Sequence, residues 1–180
     1  MLKLKTVDKK HFSLDDAVSS APVTIVVTFR GTWCPFCQEY LEALADREDD
    51  FKEIGAQVIA ISAESAKALR RFKRHRNWPF TLVSDRKNTA KKVLGVETEA
   101  YHPNSFDYPK GAFLQPSAFV WTQDGKLHYQ WVQKPSFEGV FGAAKRPSAK
   151  KLLRRAQRAL IPPEVEAGAE DDAADASAAP

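Results

Sequence analysis

Cysteine is nearly absent from this chain: 180 residues contain two, Cys34 and Cys37. Without a third or fourth there is no disulfide scaffold, and one bridge between near neighbours cannot hold a chain of this length together. Long apolar runs are missing too, and nothing approaches the roughly 20 residues of a membrane span. The opening segment is interrupted by Lys3, Lys5, Lys9 and Lys10 and lacks the apolar centre of a secretion signal, so the expected location is cytoplasmic. The four histidines, at 11, 75, 102 and 128, supply no second ligand pair at the short spacing of a zinc site, so no metal is expected. Basic residues vanish after position 160. The last twenty residues carry six acids and no Lys or Arg, which leaves the preceding body strongly basic.

What remains is a body rich enough in apolar residues (43% of the chain) to fold around its own core. One domain is expected over residues 1–160, followed by a disordered acidic, Ala-rich tail over 161–180, which holds no large apolar residue beyond Val165. Ser13 followed by Asp15 and Asp16 reads as a helix cap with acid in the first turn, starting a short helix that ends near Ser20. Residues 23–29 are β-branched and almost continuously apolar, the pattern of a strand covered on both faces. After Gly31 the spacing of Cys37, Tyr40, Leu41, Leu44, Ala45 and Phe51 predicts one long helix from about Cys34 to Gly55. A second buried strand spans 57–62. A basic helix covers 64–77, with Ala68, Leu69 and Phe72 inward. A short strand (80–84) and a short helix (87–94) lead to an aperiodic, ordered loop over 97–115. Asp124-Gly125 between two β-prone runs predicts a hairpin over 116–132. A last helix runs from about Ser148 to Leu160. Alternating strands and helices followed by a hairpin and a helix predict an α/β fold with helices on both faces of a mixed sheet.

The chemistry sits in Gly31-Thr32-Trp33-Cys34-Pro35-Phe36-Cys37. A thiolate, not a thiol, attacks a disulfide or peroxide, and a free cysteine is mostly protonated at neutral pH. A helix N-terminus favours the anion. Cys34 falls at the predicted N-terminus, where Pro35 is tolerated because a first-turn N–H has no helical partner. Cys37 lies one turn further on roughly the same face. The geometry therefore assigns attack to Cys34 and resolution to Cys37. Arg30 either adds positive charge near Cys34 or is a strand-end surface arginine. Trp33 either covers the thiolate and docks substrate or packs the loop.

The segment from Val27 to Cys37 resembles the active-site stretch of the thioredoxin superfamily. Its Arg-Gly-x-Trp-Cys-Pro-aromatic-Cys form is most similar to the redoxin branch, the alkyl hydroperoxide reductase/thiol-specific antioxidant family of peroxiredoxin-like proteins. The element order extends the likeness over about residues 12–135. The resemblance implies a thioredoxin-like three-layer α/β/α sandwich with a central mixed sheet, a C-terminal hairpin and a helix, and Cys34 as nucleophile. It also implies that Pro116, by position, is the cis proline that lies against the dithiol. Trp33, Pro35, Pro116 and Arg30 are then the substrate-orienting residues. Three positions depart from the pattern. Thr28 stands where thioredoxins carry a buried acid, so proton transfer from Cys37 needs water or another carboxylate. Gly31 stands where peroxiredoxins carry Thr or Ser, and Val27 where their motif has proline. No arginine stands beside Pro116. The usual activation of a peroxide is therefore not evident.

Two basic segments, 67–76 and 145–155, are dense in Lys and Arg but hold no base-reading motif, so a solvated helix face is expected and nucleic acid is not. The expected function is a thiol–disulfide oxidoreductase with an antioxidant role that cycles Cys34–Cys37. Its partners are a disulfide-containing protein, or a small oxidised thiol or peroxide, and a thiol electron donor; no bound cofactor is needed. Two alternatives stand beside it. One is a thiol peroxidase in which Cys34 is oxidised to a sulfenic acid and condenses with Cys37. The other is a non-catalytic interaction module built on the same fold.

Overall fold

A computed structural model describes residues 2–134 and 146–161. The acidic tail beyond 161, and with it the expected domain boundary, lies outside the described residues. A seven-stranded mixed sheet forms the centre, in the order β2-β1-β5-β4-β3-β8-β9. Its middle is β3 (Val23–Thr28), β4 (Ala56–Ser62) and β5 (Thr81–Ser84), all parallel. On one side β3 pairs antiparallel with β8 (Ser117–Thr122), which turns through Gly125 into β9 (Leu127–Val132). On the other side β5 pairs antiparallel with β1 (Lys3–Thr6), and β1 with β2 (His11–Ser13).

The period of two in the central strands builds two cores. In β3, Val23, Ile25 and Val27 face one layer and Val26 the other; in β8, Ala118 and Val120 face the first and Phe119 the second. The first layer is closed by α2 (Pro35–Ala45), α3 (Glu48–Glu53), α4 (Ala66–Arg76) and α6 (Ala149–Ala159), through Leu41, Phe51, Leu69 and Leu152. The second is closed by α1 (Leu14–Ser19), α5 (Thr89–Leu94), and β6 (Thr98–Glu99) paired with β7 (Phe113–Leu114). This is the expected three-layer α/β/α sandwich.

Several expectations change. The helix expected from Cys34 to Gly55 is two helices. Asp46 caps α2, and Glu48, Asp49 and Asp50 form an acidic first turn that favours a fresh N-terminus, with Arg47 donating to Asp50 at 2.9 Å. The opening residues, read only for a signal peptide, form the edge hairpin β1–β2, reversed at Lys9, whose φ is 65°. The 97–115 loop holds its own small sheet and a 3-10 turn over Pro103–Asp107. The peptide bond before Pro116 is trans, not cis. Here the trans form, the default for an X–Pro bond, is held by sheet contacts on both sides. Gln115 donates its N–H to Glu97 O at 2.8 Å and accepts Thr28 Oγ1 at 2.6 Å, and Pro116 O accepts from Gln133 N at 2.9 Å.

The basic helices are partly structural. Arg70 donates to Val7 O, Arg76 donates to Gln38 Oε1 at 2.6 Å, and Arg155 lies 5.3 Å from the Tyr129 ring centroid.

One buried carboxylate ties β5 to α5. Asp85, fully buried, accepts from Thr89 N and Ala90 N, each at 2.8 Å. Asp85→Ala leaves two helix-terminal donors in a dry site. The expected cost is about 2 kcal/mol, read as a lower urea midpoint at unchanged m-value. A midpoint equal to wild type would show that the cap contributes nothing.

Candidate redox site

The site is built where β3 ends and α2 begins. Phe29 N donates to Ile61 O at 3.1 Å, which fixes the strand end against β4. The chain then turns through Gly31, and Cys34 N reaches back to Gly31 O at 3.2 Å. Cys34 is the N-cap of α2, with extended backbone, and Pro35 opens the first turn. Cys37 N and Gln38 N both donate to Cys34 O, at 3.0 and 3.1 Å. The two cysteines are thus one turn apart and free, and each shifts the other's proton affinity.

Both are buried: Cys34 is 2% exposed and Cys37 0%. The surroundings are not hydrocarbon alone. Arg146, immediately before α6, donates its Nη2 to Cys37 Sγ at 3.9 Å, and its guanidinium carbon lies 5.0 Å from the Tyr40 ring centroid. Burial alone pushes the Cys37 thiol up. That is outweighed by the hydrogen bond from Cys34, the Arg146 charge and the backbone N–H of Arg30, so Cys37 falls from 9.0 to about 6. Cys34 moves the other way, raised by its hydrogen bond to Cys37, by burial and by the Cys37 charge. The sequence reading placed the charge on the leading sulfur because of the helix end. In the structure a guanidinium stands 3.9 Å from the inner sulfur, and it is the Cys37 thiol that is lowered.

Arg30 is buried, not a surface residue. It is 5% exposed, donates Nε to Gln115 Oε1 at 3.1 Å, and lies 5.9 Å from the Phe113 ring centroid. Its backbone N–H helps to lower the Cys37 thiol. Trp33 packs the loop: its ring stacks on His102 at 4.9 Å, and Nε1 donates to Tyr108 Oη at 3.0 Å. Tyr108 Oη in turn donates to Arg30 O at 2.8 Å. Pro35 and Phe36 are exposed on the first turn, Phe36 by 43%. Pro116 is buried at the start of β8.

The departures from the family pattern have local causes. Thr28 gives its hydroxyl to Gln115 O and shares a 2.6 Å contact with Ser117 Oγ, so no acid stands there. Gly31 has no room for a side chain, because a Cβ would run into Tyr108 Oη and the Trp33 ring.

Two residues of the site were not anticipated. Glu64, just past the carboxyl end of β4, accepts from Thr32 N at 2.9 Å and from Thr32 Oγ1 at 3.0 Å. Burial raises its carboxyl above the usual range, the Thr32 bonds oppose that, and the Cys37 charge adds to it. Its place beyond a buried parallel strand was the available signal, since ligand chemistry collects at such ends. Arg146 had none: it lies 109 residues from Cys37 in sequence, inside a segment that reads as a solvated helix face.

A family model described as AhpC/TSA matches residues 1–130. Among curated relatives, a chloroplastic peroxiredoxin Q of Suaeda salsa is 33% identical over 98 residues, covering 54% of this chain and 45% of the relative. A chloroplastic peroxiredoxin Q of Oryza sativa subsp. japonica is 37% identical over 67 residues, 37% of this chain and 31% of the relative. The chain thus spans under half the length of these plant relatives. Among solved structures, peroxidoxin BcpB of Mycobacterium tuberculosis superposes with TM-score 0.69 at 18% identity, over 87% of this chain and 92% of that one. Peroxiredoxin Q of Xanthomonas campestris superposes with TM-score 0.67 at 17% identity, over 89% and 92%. At such identities these two speak for the fold. Among the described residues no helix is long and apolar enough to cross a membrane.

The depressed Cys37 value carries a stability consequence with a definite sign. The unfolded chain holds the thiol proton until about pH 9, whereas the folded chain releases it near 6. The unfolded state therefore binds more protons between those values. Stability of the reduced protein rises with pH across that window, by at most about 1.4 kcal/mol per unit, and the gain is lost as pH falls through 6. Above 9 the raised Cys34 value acts in the opposite sense. Urea midpoints under reductant should climb from about pH 6 to about pH 9 in the wild type and less in Cys37→Ser. Equal slopes in the two proteins would show that Cys37 does not titrate there.

Proposed function

Because the chain belongs to the AhpC/TSA family, we propose that it is a thiol–disulfide oxidoreductase with an antioxidant role, cycling Cys34 and Cys37 between dithiol and disulfide. The observation that carries this reading is the pair itself: two free cysteines one turn apart at the start of α2, with a guanidinium 3.9 Å from the inner sulfur.

The reduced pair holds one proton and one negative charge. Cys34 passes its proton to Cys37, one turn away, and attacks a substrate disulfide. A Cys34–substrate disulfide forms and the first substrate sulfur leaves as a thiolate. That thiolate takes the proton back from Cys37. Cys37 then attacks Cys34, forming the internal disulfide and expelling the second substrate sulfur as a thiolate. Over the cycle the pair loses two electrons, the substrate disulfide gains them, and one proton ends on a substrate thiol. A separate thiol donor returns the electrons, and no bound cofactor takes part. Phe36 and Pro35, exposed on the first turn, are placed to meet the substrate. This chemistry suits a reducing compartment such as the cytosol.

Peroxide is the second oxidant this site suits. The relatives bear peroxiredoxin names, and a cysteine only 2% exposed is reached more easily by a small molecule than by a protein disulfide. Here Cys34 takes one peroxide oxygen and becomes a sulfenic acid, releasing water or an alcohol. Cys37 then displaces the hydroxyl as water to form the same disulfide.

In Cys37→Ser, a small disulfide such as bis(2-hydroxyethyl) disulfide should leave a stable adduct on Cys34, seen by mass, with turnover reduced by about 10³-fold or more. Cys34→Ser should give no adduct. An adduct on Cys37 instead would reverse the assigned roles, and no adduct in either variant would remove the disulfide reading. Stopped-flow oxidation by hydrogen peroxide at a rate no better than that of a free thiolate would remove the second oxidant.

A further inference from the structure

We infer that Arg146 is a positioning residue for the dithiol: its guanidinium keeps the pair's negative charge on Cys37 and leaves the pair's proton on Cys34. The inference rests on the redox reading of the pair given above.

The geometry is specific. Arg146 Nη2 stands 3.9 Å from Cys37 Sγ, and the guanidinium lies over the Tyr40 ring, 5.0 Å from its centroid. Tyr40 and Cys37 both belong to α2 and are buried in the same core, so one helix presents the ring and the sulfur to one cation. A guanidinium is charged at every accessible pH, and its planar face stacks on an aromatic ring. The segment just before α6, 109 residues away in sequence from Cys37, thereby completes the site.

The other groups around the sulfur do not supply this charge. From β4, Glu64 is acidic and is itself raised by the Cys37 anion. From the 97–115 insertion, Tyr108 is a phenol raised first by burial and further by Glu64 and Cys37. Tyr40 is a buried phenol and is likewise raised. Arg30 acts on Cys37 through its backbone N–H, and its Nε donates to Gln115 Oε1. Among the described side chains, Arg146 is the cation that acts on both sulfurs.

A cation that stabilises the inner thiolate has two effects. It makes Cys37 the base that receives the Cys34 proton when Cys34 attacks. It also stabilises the reduced state only, because the disulfide has no charge to attract it, so the internal disulfide becomes the more oxidising.

The decisive measurement is the thiolate absorbance near 240 nm against pH in the Cys34→Ser background. There Cys37 is the only thiol, and the serine hydroxyl still donates to it. Arg146→Gln should raise the midpoint by about one unit or more, roughly a tenfold loss of thiolate below the midpoint. Arg146→Lys should fall between. In the two-cysteine protein, Arg146→Gln should make the reduction potential more negative by about 30 mV for each tenfold loss. If Arg146→Gln does not fold, Tyr40→Leu, which removes the ring beneath the cation, should raise the midpoint by a smaller amount. Unchanged midpoints in the folded variants would overturn the inference. The titration does not depend on turnover: a wild type that shifts as expected but reduces no disulfide would refute the function proposed above and leave the role of Arg146 standing.

Discussion

The one-turn spacing of Cys34 and Cys37 at the start of α2 is the constraint on which the site depends, and it exists only because the chain changes form at that point. Phe29 ends an extended strand pinned to β4, and Pro35 opens a helix. One helical turn separates the sulfurs, which brings them to one face of α2. A shift of one residue in where the helix starts would turn the second sulfur by about 100° around the axis. The two carbonyl bonds to Cys34 O, from Cys37 and Gln38, hold that start in place.

The approach to the helix is secured by an unusual filling of space. Gly31 leaves a gap that Tyr108 Oη and the Trp33 ring occupy. Trp33 donates to Tyr108, and Tyr108 to Arg30 O, so the insertion carrying β6 and β7 is tied to the motif by hydrogen bonds in series. On the opposite side Glu64 holds Thr32 through both its backbone and its hydroxyl. The loop that delivers Cys34 is thus gripped from two strand ends and one insertion. A hydroxyl-bearing side chain at position 31 would displace Tyr108, so the departure from the peroxiredoxin pattern and the Trp33–Tyr108 bond are one structural choice.

Local information carried most of the fold. The β-branched run of β3, the capping of α1 by Ser13, and the Asp124-Gly125 reversal each depend on residues a few positions apart, and each is found where periodicity places it. The break between α2 and α3 was legible in principle in Glu48, Asp49 and Asp50, but apolar spacing across it continues in phase and hid it. The edge hairpin β1–β2 alternates Leu with Lys over too few residues to stand out. The site was half legible. Cys34, Cys37, Trp33 and Pro35 share one short segment, so their proximity is written in the chain. Glu64 and Arg146 reach the site only through sheet order and through the docking of α6 across the first core, which no local pattern encodes. The charge on the pair followed them: a helix end predicts an anion on Cys34, whereas the long-range guanidinium draws it to Cys37.

That displacement of charge bears on which oxidant the site meets. A leading cysteine that is already ionised attacks any electrophile that reaches it. Here Cys34 is 2% exposed and its thiol is raised, while Cys37, fully buried beside Arg146, is lowered. Attack therefore couples two events: access to Cys34, and transfer of its proton inward. A small oxidant needs only the second. A protein disulfide must align three sulfurs nearly in line, so it also needs the first turn of α2, with Pro35 and Phe36 at its surface, to give way. The exposed Phe36 offers apolar contact from which a partner would draw free energy for that movement. On the proposed reading, burial favours small substrates, and large ones enter only when binding opens the site.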